Sequence, residues 1–412
     1  MIRISHSQRV WRSRKGENMK FIPLSVPNLD GNEEKYVVNA IRDNWVSTGG
    51  SYITEFEQDM AKYLNMDSAV AVQSGTAALH LALRLSGIER EDEVIAPTLT
   101  FIAAINPIKY LSAHPIFIDC DDSLTIDPTK IREFIEKNCT FKEGKLINNI
   151  TKHIIKAILV VHVFGNNADM ETIMDIADKY SLKVIEDATE ALGTYYTEGK
   201  YKGKYLGTIG EFGAYSFNGN KVITTGGGGM LVSNNEKLLQ RAKYLSTQAK
   251  DDMLFFRHDE IGYNYRMTNL QAAMGKAQLE SLERFIDTKK NNYFKYKKIF
   301  EKATSTTRLN IRLLDFNSNI RPNYWFYSLL IQHDIDLKDM VRFLESKKIG
   351  TRMIWQLISN QKPYQDDYKE NIDKAKFYQH HVLNIPCSSN LSSDEVTYVT
   401  EEIIDYLTNI SL

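Results

Sequence analysis

Lys221 is the residue whose type and spacing most invite chemistry. In SFNGNKVITTGGGGM (216–230) it stands five residues after Ser216 and five before a run of four glycines. A lysine beside glycines suggests either a phosphate clamp in a nucleotide-binding loop or an amine that attacks a carbonyl. The first needs glycine, four residues, then Gly-Lys-Ser/Thr between a strand and a helix. Here Gly219 is followed by Asn220, Lys221 and Val222, and the glycines run into GMLVS (229–233), which reads as a strand. The clamp fails on both counts. What remains open is a reactive amine just past a buried strand, or a surface lysine beside a flexible turn.

Three other segments bear on that choice. QSGTAALHLAL (73–83) puts Ser74, Gly75 and Thr76 between a strand and an apolar helix. Backbone N–H groups at such a helix start, with two hydroxyls, form an anion site without a basic residue. KVIEDATEALG (183–193) ends a buried strand with Glu186 and Asp187. A carboxylate there is costly without a cation, which a protonated pyridine nitrogen or an ordinary ion pair would supply. PTLTFIAA (97–104) sets Phe101 after a strand and a turn; alone it reads as a core ring, in this company as a cover for a flat one. A phosphate cradle, a flat apolar surface, a carboxylate and an amine are together what pyridoxal phosphate requires.

The elements that must hold these residues are legible as alternation. SAVAV (68–72), EVIA (93–96), PIFID (115–119), IKAILVVHV (155–163), KVIED (183–187), FGAYSF (212–217) and GMLVS (229–233) read as buried strands, with helical stretches between most of them. That order predicts right-handed βαβ units and a largely parallel sheet, with ligands beyond the carboxyl ends of its strands. Near Thr268 a capping box, Thr268 with Gln271, opens a long helix. After it come a strand expected at 323–331, helices near 337–348 and 393–408, and a second capping box, Ser392 with Glu395. The chain thus divides into a basic extension (1–18), a large α/β unit with an N-terminal arm (19–270) and a linking helix with a small α+β unit (271–412).

Composition sets limits. A net charge of −1 over 412 residues argues against a nucleic-acid partner. Cys120, Cys139 and Cys387 are scattered, odd in number and without metal-ligand spacing, so free thiols in a reducing cytoplasm and no metal are expected. The most apolar run, 154–164, is too short to span a bilayer.

With these segments in view, the chain resembles the DegT family of sugar aminotransferases, of pyridoxal phosphate fold type I. WVSTGGSYITEFE, SGTAALHLAL, APTLTFIAA, VHVFGNNADM, VIEDATEALG, SFNGNKVITTGGGGMLVSNN and GYNYRMTNLQAA match its motifs in order, and RMIWQLISNQKPY extends the match into the small unit. The resemblance implies a mainly parallel seven-stranded sheet with a smaller C-terminal α+β domain. It implies pyridoxal 5'-phosphate joined covalently to Lys221, passing through its pyridoxamine form. It places Asp187 at the pyridine nitrogen, Gly75, Thr76 and Ser216 at the phosphate, Phe101 on the ring and Asn264 at a neighbouring subunit's phosphate or substrate. Glu190 falls where many relatives carry Gln near the ring hydroxyl. Ser47, Thr48 and Gly49 resemble the substrate loop, and Arg352 and Trp355 the contact to a nucleotide sugar. His162 gains no catalytic role, and His80 reads as a packed core residue. The implied reaction moves the amine of glutamate to C4 of UDP-4-keto-6-deoxy-N-acetylglucosamine in a homodimer with shared sites. Other keto-sugars, including the pseudaminic acid precursor and GDP-4-keto-6-deoxymannose, are alternatives on the same chemistry. A dehydratase would carry histidine in place of Lys221, and a non-catalytic protein on the same scaffold is the remaining rival.

Overall fold

The computed structural model describes residues 20–252, 254–333 and 335–410; the basic extension expected at 1–18 lies outside them. In chain order the strands are β1 (Ala69–Val72), β2 (Glu93–Pro97), β3 (His114–Ile118), β4 (Cys139–Lys142), β5 (Lys145–Asn148), β6 (Ile154–Val161), β7 (Lys183–Asp187), β8 (Tyr195–Tyr196), β9 (Phe212–Ser216) and β10 (Gly229–Val232). Five more follow: β11 (Ile311–Leu313), β12 (Ile320–Arg321), β13 (Tyr327–Ile331), β14 (Arg352–Met353) and β15 (Val382–Ile385).

Seven of these form the main sheet in the order β1-β10-β9-β7-β6-β2-β3, all at positions expected from their apolar runs. β10 runs antiparallel to both neighbours, while the pairs β9–β7, β7–β6, β6–β2 and β2–β3 are parallel. Two antiparallel steps leave β1 parallel to β9, so the carboxyl ends of β1, β2, β6, β7 and β9 open on the same edge. Strands such as AVAV and IIKAILVV are apolar on both faces because helices cover both. The connecting helices have explicit starts. Ser74 Oγ accepts from Ala77 N–H at 3.1 Å, and Asp127 and Asp169 cap the helices Pro128–Asn138 and Met170–Tyr180. A hairpin, β4–β5, adds to the sheet beside the start of β6 and has no counterpart in the strands read from sequence.

The capping box at Thr268 forms as expected and opens a helix of 38 residues, Asn269–Thr306, about 57 Å long at 1.5 Å per residue. It packs against the N-terminal helices Glu33–Arg42 and Ser51–Tyr63 and against β11. An antiparallel sheet, β11-β13-β15-β14, follows. Ser392 and Glu395 complete the second box by reciprocal bonds of 2.7 and 3.2 Å.

The strand expected at 323–331 begins only at Tyr327. Asn323 is pinned sideways: its Nδ2 donates to the carbonyls of Glu190 (2.9 Å) and Leu192 (3.0 Å), and its Oδ1 accepts from Trp325 N–H. Tyr324 then takes a left-handed φ of 53°. The turn throws Trp325 and Phe326 toward the open edge of the main sheet instead of along a strand.

Candidate active site

A cleft of about 790 Å³ lies at that edge. Its floor is built from strand ends: Ser74–Thr76 after β1, Thr100 and Phe101 after β2, Val161 ending β6, Asp187 ending β7 with Glu190 beyond it, and Ser216 ending β9 with Asn218, Asn220 and Lys221 beyond it. Arg352, Trp355, Trp325 and the N-terminal segment Phe21–Ser25 supply the walls.

Lys221 sits between an aromatic face and a carboxylate. Its Nζ is 4.1 Å from the centre of the Trp325 ring and 3.9 Å from Glu190 Oε1. Burial holds its pKa below the usual lysine range, against the opposing pull of Glu190 and Asp187. The loop carrying it is anchored through the Asn220 carbonyl, which accepts from Trp325 Nε1 at 2.7 Å and from Ser25 Oγ at 3.1 Å.

The two acids ending β7 part company, because successive residues of a strand face opposite sides. Glu186 turns away from the cleft and accepts from the N–H groups of Gly207 (2.9 Å), Ile209 (2.7 Å) and Gly210 (2.6 Å). His162 completes the set at 2.9 Å; its Nδ1 accepts from Ala168 N–H, so Nε2 bears the proton given to Glu186. His162 is fully buried and does not line the cleft. Asp187 faces the cleft and accepts from Thr189 N–H at 3.0 Å. Burial raises its carboxyl above the usual range. Glu190 accepts from Phe164 N–H at 2.8 Å, and burial pushes it up to about 7.

The glycine run has a definite use. A Cβ on Gly229 would sit 2.5 Å from the carbonyl carbon and oxygen of Ser74 and 2.7 Å from Gly75 N. A Cβ on Gly75 would sit 2.9 Å from both Ser216 Cβ and Thr189 Cγ2. The start of β10 therefore touches the start of the helix Gly75–Leu85 backbone to backbone, and Gly75 lies tight against the side chains of Ser216 and Thr189. Around Gly226 there is open space, and its φ of +78° is what calls for glycine there.

Most of the residues singled out from sequence meet here: Gly75, Thr76, Phe101, Asp187, Glu190, Ser216, Lys221, Arg352 and Trp355 all line the cleft. Phe101 is 52% exposed, so the core packing expected of an isolated ring does not hold. Ser47, Thr48, Gly49 and Asn264 do not line it. Ser47 is held by Asn269 N–H, and Asn264 is exposed and bridges to Thr247. His80 is buried, with Nδ1 3.0 Å from Tyr265 Oη. Trp325 was missed by the sequence reading, which expected an N-terminal substrate arm but named none of Phe21, Pro23, Leu24 and Ser25; the left-handed turn that aims Trp325 leaves no mark on apolar periodicity.

The site fits pyridoxal phosphate on three counts. A helix start kept open by glycines offers backbone N–H groups to a phosphate. A buried carboxylate, Asp187, faces the cleft with no ion pair to a described residue. A buried amine with a depressed pKa lies in the same cleft, within 4 Å of Glu190.

Comparisons with known proteins agree. The model of the DegT/DnrJ/EryC1/StrS aminotransferase family matches residues 27–404. The GDP-perosamine synthase of Escherichia coli O157:H7 is 37% identical over 388 residues, covering 94% of this chain and 99% of that protein. The UDP-4-amino-4,6-dideoxy-N-acetyl-beta-L-altrosamine transaminase of Campylobacter jejuni is 29% identical over 394 residues, covering 94% and 98%. The solved structure of an aminotransferase from Psychrobacter cryohalolentis superposes with a TM-score of 0.82 at 25% identity, over 95% of this chain and 100% of its own.

Proposed function

The chain belongs to the DegT/DnrJ/EryC1/StrS aminotransferase family and is a pyridoxal phosphate-dependent sugar aminotransferase; from that premise we propose that it transfers the amino group of glutamate to C4 of UDP-4-keto-6-deoxy-N-acetylglucosamine. The product is a UDP-4-amino-4,6-dideoxy sugar for surface glycans of the bacillosamine or legionaminic acid type. The observation that carries the reading is the meeting of Lys221, Asp187 and the open helix start with Arg352 and Trp355 in one cleft.

Bound pyridoxal phosphate supplies the aldehyde that accepts the amine and the electron sink that makes the donor's Cα acidic. The protein's part is to hold it and to move protons. Thr76, Ser216 and the N–H groups at Gly75 hold the phosphate. Asp187 would keep the ring nitrogen charged, Phe101 would cover a ring face, and Glu190 would face the ring hydroxyl. Lys221 would be the covalent attachment point, and its free Nζ would take the proton from the donor's Cα and return it. Burial lowers the pKa of that amine, which favours the neutral form a base requires. Arg352 and Trp355 contact the nucleotide sugar.

A homodimer with shared sites belongs to the same reading. Ser47–Gly49 and Asn264 lie off this chain's own cleft, near exposed apolar side chains at Trp45, Val46, Phe255 and Ile261. Such a surface suits a second copy that receives these residues into its own cleft.

A second reading, GDP-4-keto-6-deoxymannose as acceptor, is favoured by the 37% identity to the Escherichia coli GDP-perosamine synthase. NMR of products formed from the UDP and GDP keto-sugars separates the two. A kcat/KM at least ~10-fold higher for the UDP substrate is expected; the reverse order would overturn the choice. Lys221→Ala should bind the cofactor yet lose turnover, and ordinary multiple-turnover activity in that variant would remove Lys221 from the mechanism.

A further inference from the structure

The amino ends of the parallel strands, on the edge of the sheet opposite the cleft, carry a second group of chemically capable side chains. Glu91 precedes β2, His114 opens β3 and His153 precedes β6. They are remote in sequence, but β2 pairs with both β3 and β6, which brings the three strand starts together. Sequence spacing offers no hint of this cluster, so the expectation of no metal rested on spacing alone.

The geometry is that of a ligand set. Glu91 Oε2 lies 3.3 Å from His114 Nε2 and 3.7 Å from His153 Nε2. Ligand atoms from all three residues fall within 4.8 Å of one another. Bond lengths of 2.0–2.2 Å in a tetrahedral zinc site put neighbouring ligand atoms about 3.3–3.6 Å apart. The other oxygen of Glu91 is engaged elsewhere, 3.3 Å from Arg90 Nε, leaving Oε2 to the histidines.

The second ring nitrogens are also provided for. His114 Nδ1 is 3.4 Å from Asp367 Oδ1, itself held by Lys109. His153 Nδ1 is buried without a hydrogen bond, and Glu93 Oε1 stands 4.0 Å from it. Carboxylates behind ligating imidazoles fix the ring orientation and raise ligand basicity. Glu91 also holds a left-handed φ of 66°, which a non-glycine residue adopts at a cost.

We propose that Glu91, His114 and His153 bind one divalent transition-metal ion, Zn2+ by ligand type, with water in the fourth position. Two imidazoles and one carboxylate suit Zn2+ over Mg2+ or Ca2+, which favour all-oxygen sets. The ion ties three strands together at the end away from the cleft, so its role is structural and turnover does not depend on it.

The test uses the full-length protein with its cofactor, lacking any polyhistidine tag and freed of metal by a chelator. Titration calorimetry with ZnCl2 should give one ion per chain, and Co2+ in its place should show the intense visible bands of a four-coordinate site. Zinc at 100 times its Kd should raise the melting temperature by about 3 °C, while Mg2+ leaves it unchanged. Glu91→Gln, an exposed and nearly isosteric change, should weaken binding at least ~100-fold, and Asp367→Asn ~10-fold, with the bound cofactor's absorbance reporting that each variant is folded. The site is refuted if the wild-type protein takes up no ion. It is equally refuted if the double variant His114→Ala/His153→Ala still binds one equivalent, or if Mg2+ stabilises as well as Zn2+.

Discussion

Replacing Glu190 with Gln tests whether the cleft carries a carboxylate that burial has made weakly acidic. Burial raises this carboxyl from its ordinary 4.5 to about 7, and the opposing pulls of Lys221 and of the Phe164 N–H do not cancel the rise. Below pH 4.5 the folded and unfolded chains are both protonated at this position. Between 4.5 and 7 the folded chain keeps the proton and the unfolded chain releases it. Stability therefore falls as pH rises through this window and levels off above it. A gap of about 2.5 pKa units corresponds to about 3.4 kcal/mol in full, of which about 2.5 kcal/mol is lost between pH 5 and pH 8. Gln has no charge to bury and can still accept from Phe164 N–H at 2.8 Å, so it does not share that loss. At an unfolding entropy of ~2.1 cal/mol/K per residue, 2.5 kcal/mol moves the melting temperature by about 3 °C. Cofactor-free Glu190→Gln should accordingly melt near the wild-type protein at pH 5 and about 3 °C above it at pH 8. An offset that is the same at both pH values would refute the reasoning. So would a variant that melts below the wild-type protein at pH 8, since Glu190 would then be ionised and stabilised by Lys221.

Two further substitutions address how the cleft is held. Gly229→Ala drives a methyl into the Ser74 carbonyl and Gly75 N, costing about 1–3 kcal/mol and weakening cofactor binding at least ~10-fold in a fluorescence titration; Gly226→Ala, strained in φ but sterically open, should leave that affinity within about twofold. Trp325→Phe keeps a ring beside Lys221 but deletes the 2.7 Å bond to the Asn220 carbonyl. A loss of about 1 kcal/mol predicts a five- to tenfold fall in kcat/KM by steady-state assay, and an unchanged value would show that Ser25 holds the loop unaided.

What was legible in the sequence follows from burial. The seven strands of the main sheet are apolar on both faces, so each shows as a short hydrophobic run between turns. Lys221, Asp187, Ser216 and Ser74–Thr76 sit at the ends of such runs and inherit their positions from them. The hairpin β4–β5 has mostly exposed side chains, Leu146 and Asn148 being its only buried ones, and so carries no hydrophobic period. Its available signal was Glu143-Gly144, both at positive φ as a tight hairpin turn requires. Trp325 escaped for the opposite reason: NYWFYSLLI is rich in aromatic and aliphatic residues and reads as one strand, while the break at Tyr324 depends on where Asn323 finds carbonyls, a tertiary fact. The metal cluster escaped because register between distant strands, which a single sequence does not display, is what assembles it.

Hydrogen-bond supply explains how three nearby buried acids take different parts. Glu186 accepts three backbone N–H bonds and one from His162, which occupy its oxygens on the far side of the sheet. Glu190 has one backbone donor and an ammonium at 3.9 Å, which leaves it near the midpoint of its titration at neutral pH. Asp187 has one backbone donor, and no described residue forms an ion pair with it. Strand alternation sends the fully bonded acid to the far face and the poorly bonded one into the cleft. A cation arriving in the cleft therefore gains most at Asp187, where burial now opposes ionisation, and gains nothing at Glu186, whose hydrogen bonds are already complete. This difference in bonding supports the proposed pairing of Asp187 with a protonated ring nitrogen.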